Sequence, residues 1–206
     1  MENLVFNYQT IVVYVISYCI GSIPFGYLIY KFKSKDDIRK FGSGNIGATN
    51  VKRLLGSKLG AITLLLDFCK TYFTCFIILR IYGTEIASIS GLLTIIGHIF
   101  PLWLRFRGGK GVASFIGFLC LVSWPLSLTF VLIWIIFVKI FKYSGAGAIF
   151  SIIFNLISFK LLLLIQFSYQ MLLWIPGTPF QYNITLILSL LILFKHYSNF
   201  VNFFKK

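Results

Sequence analysis

The sequence predicts an all-α integral membrane protein with about seven transmembrane helices, its N-terminus outside and its C-terminus cytoplasmic. Three observations carry that prediction. Of 206 residues, 58% are hydrophobic and only 12% are charged, and the mean hydropathy is +0.90. A soluble domain is about 45–50% apolar and about 25% charged, so this chain in water would expose large apolar patches and aggregate. A soluble enzyme is thereby excluded as the default class. Several apolar runs also reach the ~20 residues that a membrane helix needs. Finally, 19 Lys or Arg face 5 Asp or Glu, a net charge of +14, and the basic residues gather between the apolar runs.

Taken in order, Ile11–Tyr30 is uncharged and of spanning length. Only Glu2 precedes it and no basic segment does, so it reads as a span rather than a cleaved signal peptide. Ala61–Leu79 is a second span, containing Asp67 and Lys70, and Ile86–Leu104 is a third. Val112–Ile140 is a long run interrupted at Trp124-Pro125; Ala146–Ile175 holds only Lys160, and Asn183–Phe194 is short. Basic loops at about 31–60 and 105–112 and the tail at 195–206 belong in the cytoplasm by the positive-inside rule. Keeping Lys139 and Lys142 (loop 139–145) inside as well requires a split of Val112–Ile140 at Pro125. That gives seven crossings, with five as the alternative. No repeat, low-complexity tract or linker marks a boundary, so 1–206 is expected to be a single polytopic domain. Trp103, Trp124, Trp134 and Trp174 fall near span ends, as interfacial anchors do.

The chemistry lies in the loops. The first reads Gly42-Ser43-Gly44-Asn45-Ile46-Gly47-Ala48-Thr49-Asn50-Val51-Lys52-Arg53. It contains G-x-G-x-x-G, but that fingerprint requires a preceding strand and a βαβ unit, and here an apolar helix precedes it. It also approaches a P-loop, with Ala48 where the essential Lys would stand. What survives is the physics the two motifs share: closely spaced glycines let backbone N–H groups converge on an anion. A helix starting near Ala48 adds a favourable dipole, and Thr49 or Asn50 shares a face with Arg53. The second loop contains Gly97-His98-Ile99-Phe100-Pro101, then Arg105-Phe106-Arg107-Gly108-Gly109-Lys110-Gly111-Val112. Lys110 among Gly108, Gly109 and Gly111 is a point charge on backbone that a ligand can approach closely. Two glycine-and-cation loops on one membrane face point to phosphate. Arg105 and Arg107 serve equally as orientation signals or headgroup contacts.

Other features have plainer readings. His98 near a span end needs a partner or a role. Asp67 and Lys70 at i, i+3 neutralise each other, and Asp36 and Asp37 look like solvated charges in a basic loop. The four cysteines (Cys19, Cys69, Cys75, Cys120) lie in spans as packing residues, and with two distant histidines they form no metal pattern. No G-x-S-x-G elbow exists, and no H-x4-D pair: the fifth residue after His98 is Trp103, and after His196 it is Val201. With no nucleophile or strong base in evidence, any reaction should rest on binding, charge neutralisation and an already activated substrate.

In order along the chain, these segments resemble the bacterial membrane glycerol-3-phosphate acyltransferases that use acyl phosphate, the PlsY type. The resemblance starts at Gly21-Ser22-Ile23-Pro24-Phe25-Gly26 and runs through Gly42-Ser43-Gly44-Asn45-x-Gly47-Ala48-Thr49-Asn50-x-x-Arg53. It continues at Gly97-His98-x-Phe100-Pro101 and Gly108-Gly109-Lys110-Gly111-Val112-Ala113, and ends at His196-x-x-Asn199. It implies a multi-pass enzyme of the bacterial inner membrane in phospholipid biosynthesis. That enzyme would move an acyl group from acyl phosphate to the sn-1 hydroxyl of glycerol 3-phosphate, giving lysophosphatidic acid and phosphate. It further implies catalytic roles for Ser43, Arg53, Lys110, His196 and Asn199. Phosphate binding falls to Gly42, Gly44, Asn45, Gly47, Thr49, Asn50, Gly108, Gly109, Gly111 and Ser144, and a supporting role to His98. No metal or cofactor, no protein nucleophile and no nucleic acid are implied; the partners are the two substrates, the lipid bilayer and a soluble enzyme making acyl phosphate from acyl carrier protein. The substrate's own phosphate would help take the hydroxyl proton. Two departures stand out. The family's Tyr-x-Ser appears as Tyr143-Ser144-Gly145, and Asn202 stands where the final motif continues to Arg, with Lys205 and Lys206 as the nearby cations. The competing readings are a transporter of phosphorylated metabolites, which should show an inverted repeat, and a lipid-binding scaffold. The scaffold leaves Asn45, Thr49, Asn50 and His98 unexplained.

Overall fold

The computed structural model describes residues 5, 7–197 and 201, and among them regular structure is helical throughout. The chain divides into two compact units, residues 1–118 and 119–206. The first contains α1 (Tyr8–Gly21), α2 (Phe25–Ser34), α3 (Ala48–Leu55), α4 (Ser57–Tyr82) and α5 (Thr84–Ile99). Short 3₁₀ turns at Ile38–Lys40 and Leu102–Leu104 lie between them, and α6 (Val112–Val122) carries the chain across the boundary. The second contains α7 (Trp124–Phe141), α8 (Ser144–Tyr169) and α9 (Pro179–Lys195).

Among the described residues, five stretches are long and apolar enough to cross a membrane: Tyr8–Ser34, Ser57–Tyr82, Thr84–Leu104, Trp124–Phe141 and Ser144–Tyr169. α6 and α9, of 11 and 17 residues, are shorter apolar helices. The expected division of the Val112–Ile140 run occurs at Ser123, where Trp124-Pro125 opens α7; proline suits a first turn because its missing N–H has no partner there anyway. Two runs behave differently from expectation. Ile11–Tyr30 is not one helix but breaks over Ser22–Pro24, where Pro24 has no N–H to continue the ladder. Ala146–Ile175 is helical only to Tyr169, and Gln170 and Leu172 take left-handed backbone before α9 begins in a Thr178/Gln181 capping box. Trp134 also differs from expectation: it lies within α7, half-buried, beside Gly147. Trp103, Trp124 and Trp174 are exposed, as interfacial residues would be.

The distribution of side chains is that of a lipid-facing protein. Exposed residues include Ile11, Val15, Leu65, Phe73, Ile77, Leu132, Ile136, Phe154, Ile157 and Leu161, on the outer stripes of α1, α4, α7 and α8. Buried positions are rich in small polar residues: Ser17, Thr63, Thr71, Thr74, Ser88, Ser90, Thr94, Ser151, Thr185 and Ser189. In lipid, apolar burial no longer drives helices together, so small residues and internal hydrogen bonds hold the interfaces. Many of these hydroxyls donate to the carbonyl one turn back, as Ser17 does to Val13 at 2.7 Å and Thr94 to Ser90 at 2.8 Å.

Within the first unit, α1 and α4 both pack on α5, and α3 packs on α4. α1 and α5 come together backbone to backbone: a Cβ on Gly21 would collide with Thr94 O, and one on Gly97 with Tyr18 O. That close approach fixes the inner end of α5, where His98 sits. Within the second unit, α8 packs on both α7 and α9. Asn155 Nδ2 donates to Leu126 O at 2.8 Å, and Phe159 meets Tyr182 edge to face.

Candidate functional site

The first loop is clasped by one side chain. Asn50 is buried; its Nδ2 donates to Phe41 O at 3.1 Å and Asn45 O at 2.9 Å. Its Oδ1 accepts from the Ser43 N–H at 3.0 Å and from Arg53 Nη1 at 3.2 Å. An amide has two donor hydrogens and two acceptor lone pairs, so all of Asn50's capacity goes into shaping the loop. Gly42 is tucked against that amide with φ +59°, and a Cβ there would collide with Asn50 Oδ1. Gly44, at φ +69°, completes the turn.

α3 begins at Ala48, with Gly47 as N-cap supplying no side-chain bond. First-turn N–H groups of such a helix have no intrahelical partner and favour anions. Ser43, Thr49 and Arg53 are exposed around this turn, and Asn45 is half-buried.

The second loop is held against the end of α5 by backbone bonds. The Gly108 N–H donates to Ile99 O at 3.2 Å and the Gly109 N–H to His98 O at 3.1 Å, so the glycine strand lies against the end of α5. Cβ atoms at these two positions would collide with His98 O, Pro101 and the His98 ring. Arg105 and Phe106 are consecutive left-handed residues at φ 52° and 61°, a conformation costing about 1–2 kcal/mol each for non-glycine residues. Their N–H groups bond back to Leu102 O and Pro101 O. Lys110 is half-buried, and Gly109 and Gly111 are buried.

The two loops meet. Leu104, at the mouth of the second, is buried in one cluster with Ile38, Ile46 and Val51 of the first, and Arg39 Nη1 donates to Leu104 O at 3.3 Å. A cleft of about 320 Å³ opens beside them between Pro24, Leu28, Lys31 and Trp103; none of the expected phosphate-binding residues lines it.

Behind the loops lies a buried ionic cluster. Lys70 Nζ is 2.9 Å from Asp67 Oδ1, 2.9 Å from His98 Nδ1 and 2.9 Å from Ile23 O. Asp67 Oδ1 is also 3.4 Å from His98 Nδ1, and Ser114 Oγ, just past the second loop, donates to Asp67 O at 3.0 Å. Mutual neutralisation of Asp67 and Lys70 is therefore real but incomplete as a description. The spacing within α4 shows the pair; the third and fourth members come from residues far away in sequence.

For Asp37 the expectation of a solvated charge is corrected, whereas Asp36 is exposed, as expected. Asp37 makes a bidentate pair with Arg39, the closest contact 2.6 Å, and caps the 3₁₀ turn; Asp36 lies 3.6 Å from Lys40. Hydrogen bonding to Arg39 holds the Asp37 carboxyl below its ordinary value, and the same bond raises Arg39. The described cysteines are free thiols, and no His/Cys/Asp/Glu cluster fit for a metal occurs among the described residues.

The remaining expected residues belong to the second unit. Ser144 is half-buried at the first turn of α8. His196 is buried at the end of α9, its Nδ1 donating to Ile192 O at 2.8 Å. Asn199 lies outside the described residues, as do Asn202, Lys205 and Lys206.

With this geometry in hand, comparison with known proteins is specific. Residues 11–206 match the family model described as glycerol-3-phosphate acyltransferase. A glycerol-3-phosphate acyltransferase of Bartonella henselae is 38% identical over 201 residues, covering 96% of this chain and 89% of that protein. One from Ehrlichia chaffeensis is 48% identical over 145 residues, covering 69% of this chain and 73% of its own length. The crystal structure of PlsY, an integral membrane glycerol 3-phosphate acyltransferase in its glycerol 3-phosphate form, superposes with a TM-score of 0.83 at 30% identity. That match covers 96% of this chain and 92% of the other, and the lysophosphatidic acid form gives 0.81 at 29% identity.

Proposed function

The chain belongs to the glycerol-3-phosphate acyltransferase family, and on that premise we propose that it transfers an acyl group from acyl phosphate to the sn-1 hydroxyl of glycerol 3-phosphate. The hydroxyl oxygen attacks the acyl carbonyl, the carbonyl–phosphate bond breaks, and lysophosphatidic acid and inorganic phosphate leave. The hydroxyl proton passes to a substrate phosphate oxygen. An acyl phosphate is a mixed anhydride, so its carbonyl is electrophilic before the protein acts on it; what the protein must add is orientation and positive potential.

One observation carries this reading: two loops built for an anion adjoin in the first unit, while the carboxylates around them are committed to cations. Asp36, Asp37 and Asp67 face Lys40, Arg39 and Lys70, and Glu85 sits in the first turn of α5, at the end of that helix away from the loops. Asp37 and Asp67 are thus tightly held by cations, which suits a reaction whose proton goes to phosphate. In this reading Lys110 and Arg53 neutralise phosphate, Ser43, Asn45 and Thr49 with the α3 N–H groups orient it, and Asn50 keeps the loop in shape. Gly42, Gly44, Gly47, Gly108, Gly109 and Gly111 let backbone close in on the ligand. For Ser144, His196 and Asn199 the family resemblance implies roles toward the same substrates. The enzyme works in the bacterial inner membrane with its loops cytoplasmic, supplied by a soluble enzyme that makes acyl phosphate from acyl carrier protein.

The test uses membranes carrying the protein, labelled glycerol 3-phosphate, and either palmitoyl phosphate or palmitoyl-CoA. Lysophosphatidate from the acyl phosphate is expected. Product from the thioester alone would overturn the donor assignment, and none from either would overturn the reading.

A further inference from the structure

Three features are unabsorbed by the proposed reaction: the cleft beside Lys31, the left-handed Arg105-Phe106 pair and the buried Asp67–Lys70–His98 cluster. The cluster carries furthest, because it touches structural supports of both loops. It stands on the reading of Gly108–Lys110 as a phosphate loop.

Lys70 Nζ donates to Ile23 O and to His98 Nδ1 at 2.9 Å each and is ion-paired with Asp67 Oδ1, also at 2.9 Å. All three belong to buried or broken-helix positions, and Lys70 is itself buried. Since an ammonium can only donate, His98 Nδ1 must accept, and the imidazole proton then resides on Nε2. Nε2 is the ring atom nearest the space that Gly109 leaves by lacking a side chain. The Gly109 N–H is bound to His98 O, so backbone and ring of one residue both bear on this glycine. The far end of the loop returns to the same place through Ser114 Oγ on Asp67 O.

In the other direction, Lys70 holds Ile23 O inside the Ser22–Pro24 break. Three residues on, Gly26 lies so close to Ile46 O that a Cβ would collide with it. Lys70 therefore stands between the two loops, joined to one through His98 and Gly109 and to the other through the Ile23–Gly26 segment and Ile46.

We propose that Lys70 is a positioning residue for acyl transfer: its bonds to His98 Nδ1 and Ile23 O fix His98 as the Nε2–H tautomer against Gly109 and hold the Gly108–Lys110 backbone in register with the Gly42–Arg53 loop. Asp67 supplies the counter-charge that lets a lysine occupy that buried point, since an unpaired buried charge is strongly destabilising. A pair serving charge balance alone would be replaceable by neutral residues without loss of function. A positioning residue would not.

The experiment compares four proteins purified in lipid nanodiscs: wild type, Asp67→Asn/Lys70→Met, His98→Ala, and the triple variant. The double variant removes both charges together, so no buried ion is stranded. Its expected Tm stays within a few degrees of wild type while kcat/KM for lysophosphatidate formation falls at least ~10-fold. Because Lys70 acts through His98, the triple variant should be little worse than His98→Ala. If the losses multiply, or the double variant turns over like wild type, the proposal is overturned. His98→Gln retains one acceptor and one donor along the same line and should keep most of the activity that His98→Leu loses; equal activity in those two would also overturn it.

Hydrogen exchange of the 105–112 peptide needs no turnover. In both His98→Ala and the double variant its Gly108 and Gly109 amides should exchange at least ~10-fold faster, with the 42–53 peptide less affected. Unchanged protection defeats the positioning role even if the protein proves inactive with every donor. An inactive wild type with the exchange changes present defeats the proposed reaction and leaves Lys70 as the loop's anchor. A double variant too unstable to purify is replaced by His98→Gln against His98→Leu, with the same two readouts.

Discussion

The two glycine loops reach similar ends by opposite means. The Gly42–Arg53 loop is organised from within: one buried amide, Asn50, binds three backbone groups and Arg53 over a span of a dozen residues. The Gly108–Lys110 loop is held differently. It lies against the end of α5 by two backbone bonds, follows two left-handed residues, and is backed by a cluster drawn from α4 and α5. Local construction makes the first loop robust to changes elsewhere in the unit. Remote construction makes the second sensitive to buried residues that never meet substrate.

The largest effect tests what each loop contributes. Lys110→Ala should reduce lysophosphatidate formation at least ~100-fold, since charge-assisted phosphate contacts in a partly desolvated site are worth several kcal/mol. The loop's bonds to His98 O and Ile99 O are made by backbone and survive the substitution. Turnover within a few-fold of wild type would remove Lys110 from the site and shift the anion-binding burden to the first loop.

Asn50→Ala attacks the other loop at its clasp and should look different. It removes the partner of Phe41 O, Asn45 O and the Ser43 N–H, all on exposed or half-buried residues, and each lost bond costs about 0.5–1.5 kcal/mol. The expected result is a Tm lower by roughly 5–10 °C together with a loss of activity of about tenfold, with exchange accelerated in the 41–53 peptide and not in 105–112. Acceleration in both peptides would show that the loops are one cooperative unit and erase the distinction drawn between them.

That distinction also explains what the sequence could and could not disclose. The first loop's glycines, its helix start at Ala48 and the Asn50/Arg53 face are local, at separations of three or four residues, and are legible as such. So is the break at Ser123, announced by Pro125. Asn50 marks a boundary, because an asparagine among glycines suits a phosphate contact and a backbone clasp equally well, and only the fold assigns its four bonds. The second loop's support was hidden by distance along the chain. Asp67 and Lys70 show themselves as a pair at i, i+3, but His98 is 28 residues from Lys70 and Ile23 is 47. Periodicity places each on its helix without saying that two helices and a broken turn share one ammonium. Similarly, Asp37 and Arg39 are close enough in sequence to pair, yet nothing local shows that Arg39 also reaches Leu104 O and lies over the Tyr27 ring.

The smallest effect concerns that last link, where the loops touch. Asp37 orients Arg39, which bridges to Leu104 at the mouth of the second loop. Its side chain is 23% exposed and that of Arg39 30%, so solvent screens the pair and Asp37→Asn should cost only about 0.5–1 kcal/mol and change turnover by less than about twofold. The pH dependence identifies the cause. Arg39 holds the folded-state Asp37 carboxyl below its ordinary value, so the pair stabilises the fold above the unfolded carboxyl value of about 4 and that contribution fades as pH falls through the lower, folded value. Thermal unfolding at pH 8, 6 and 5 should therefore show a constant small deficit in the variant, and the two proteins should converge below about pH 4. A deficit that persists unchanged at low pH would mean that Asp37 does not act through its charge, and the ion pair would then contribute nothing to the bridge between the loops.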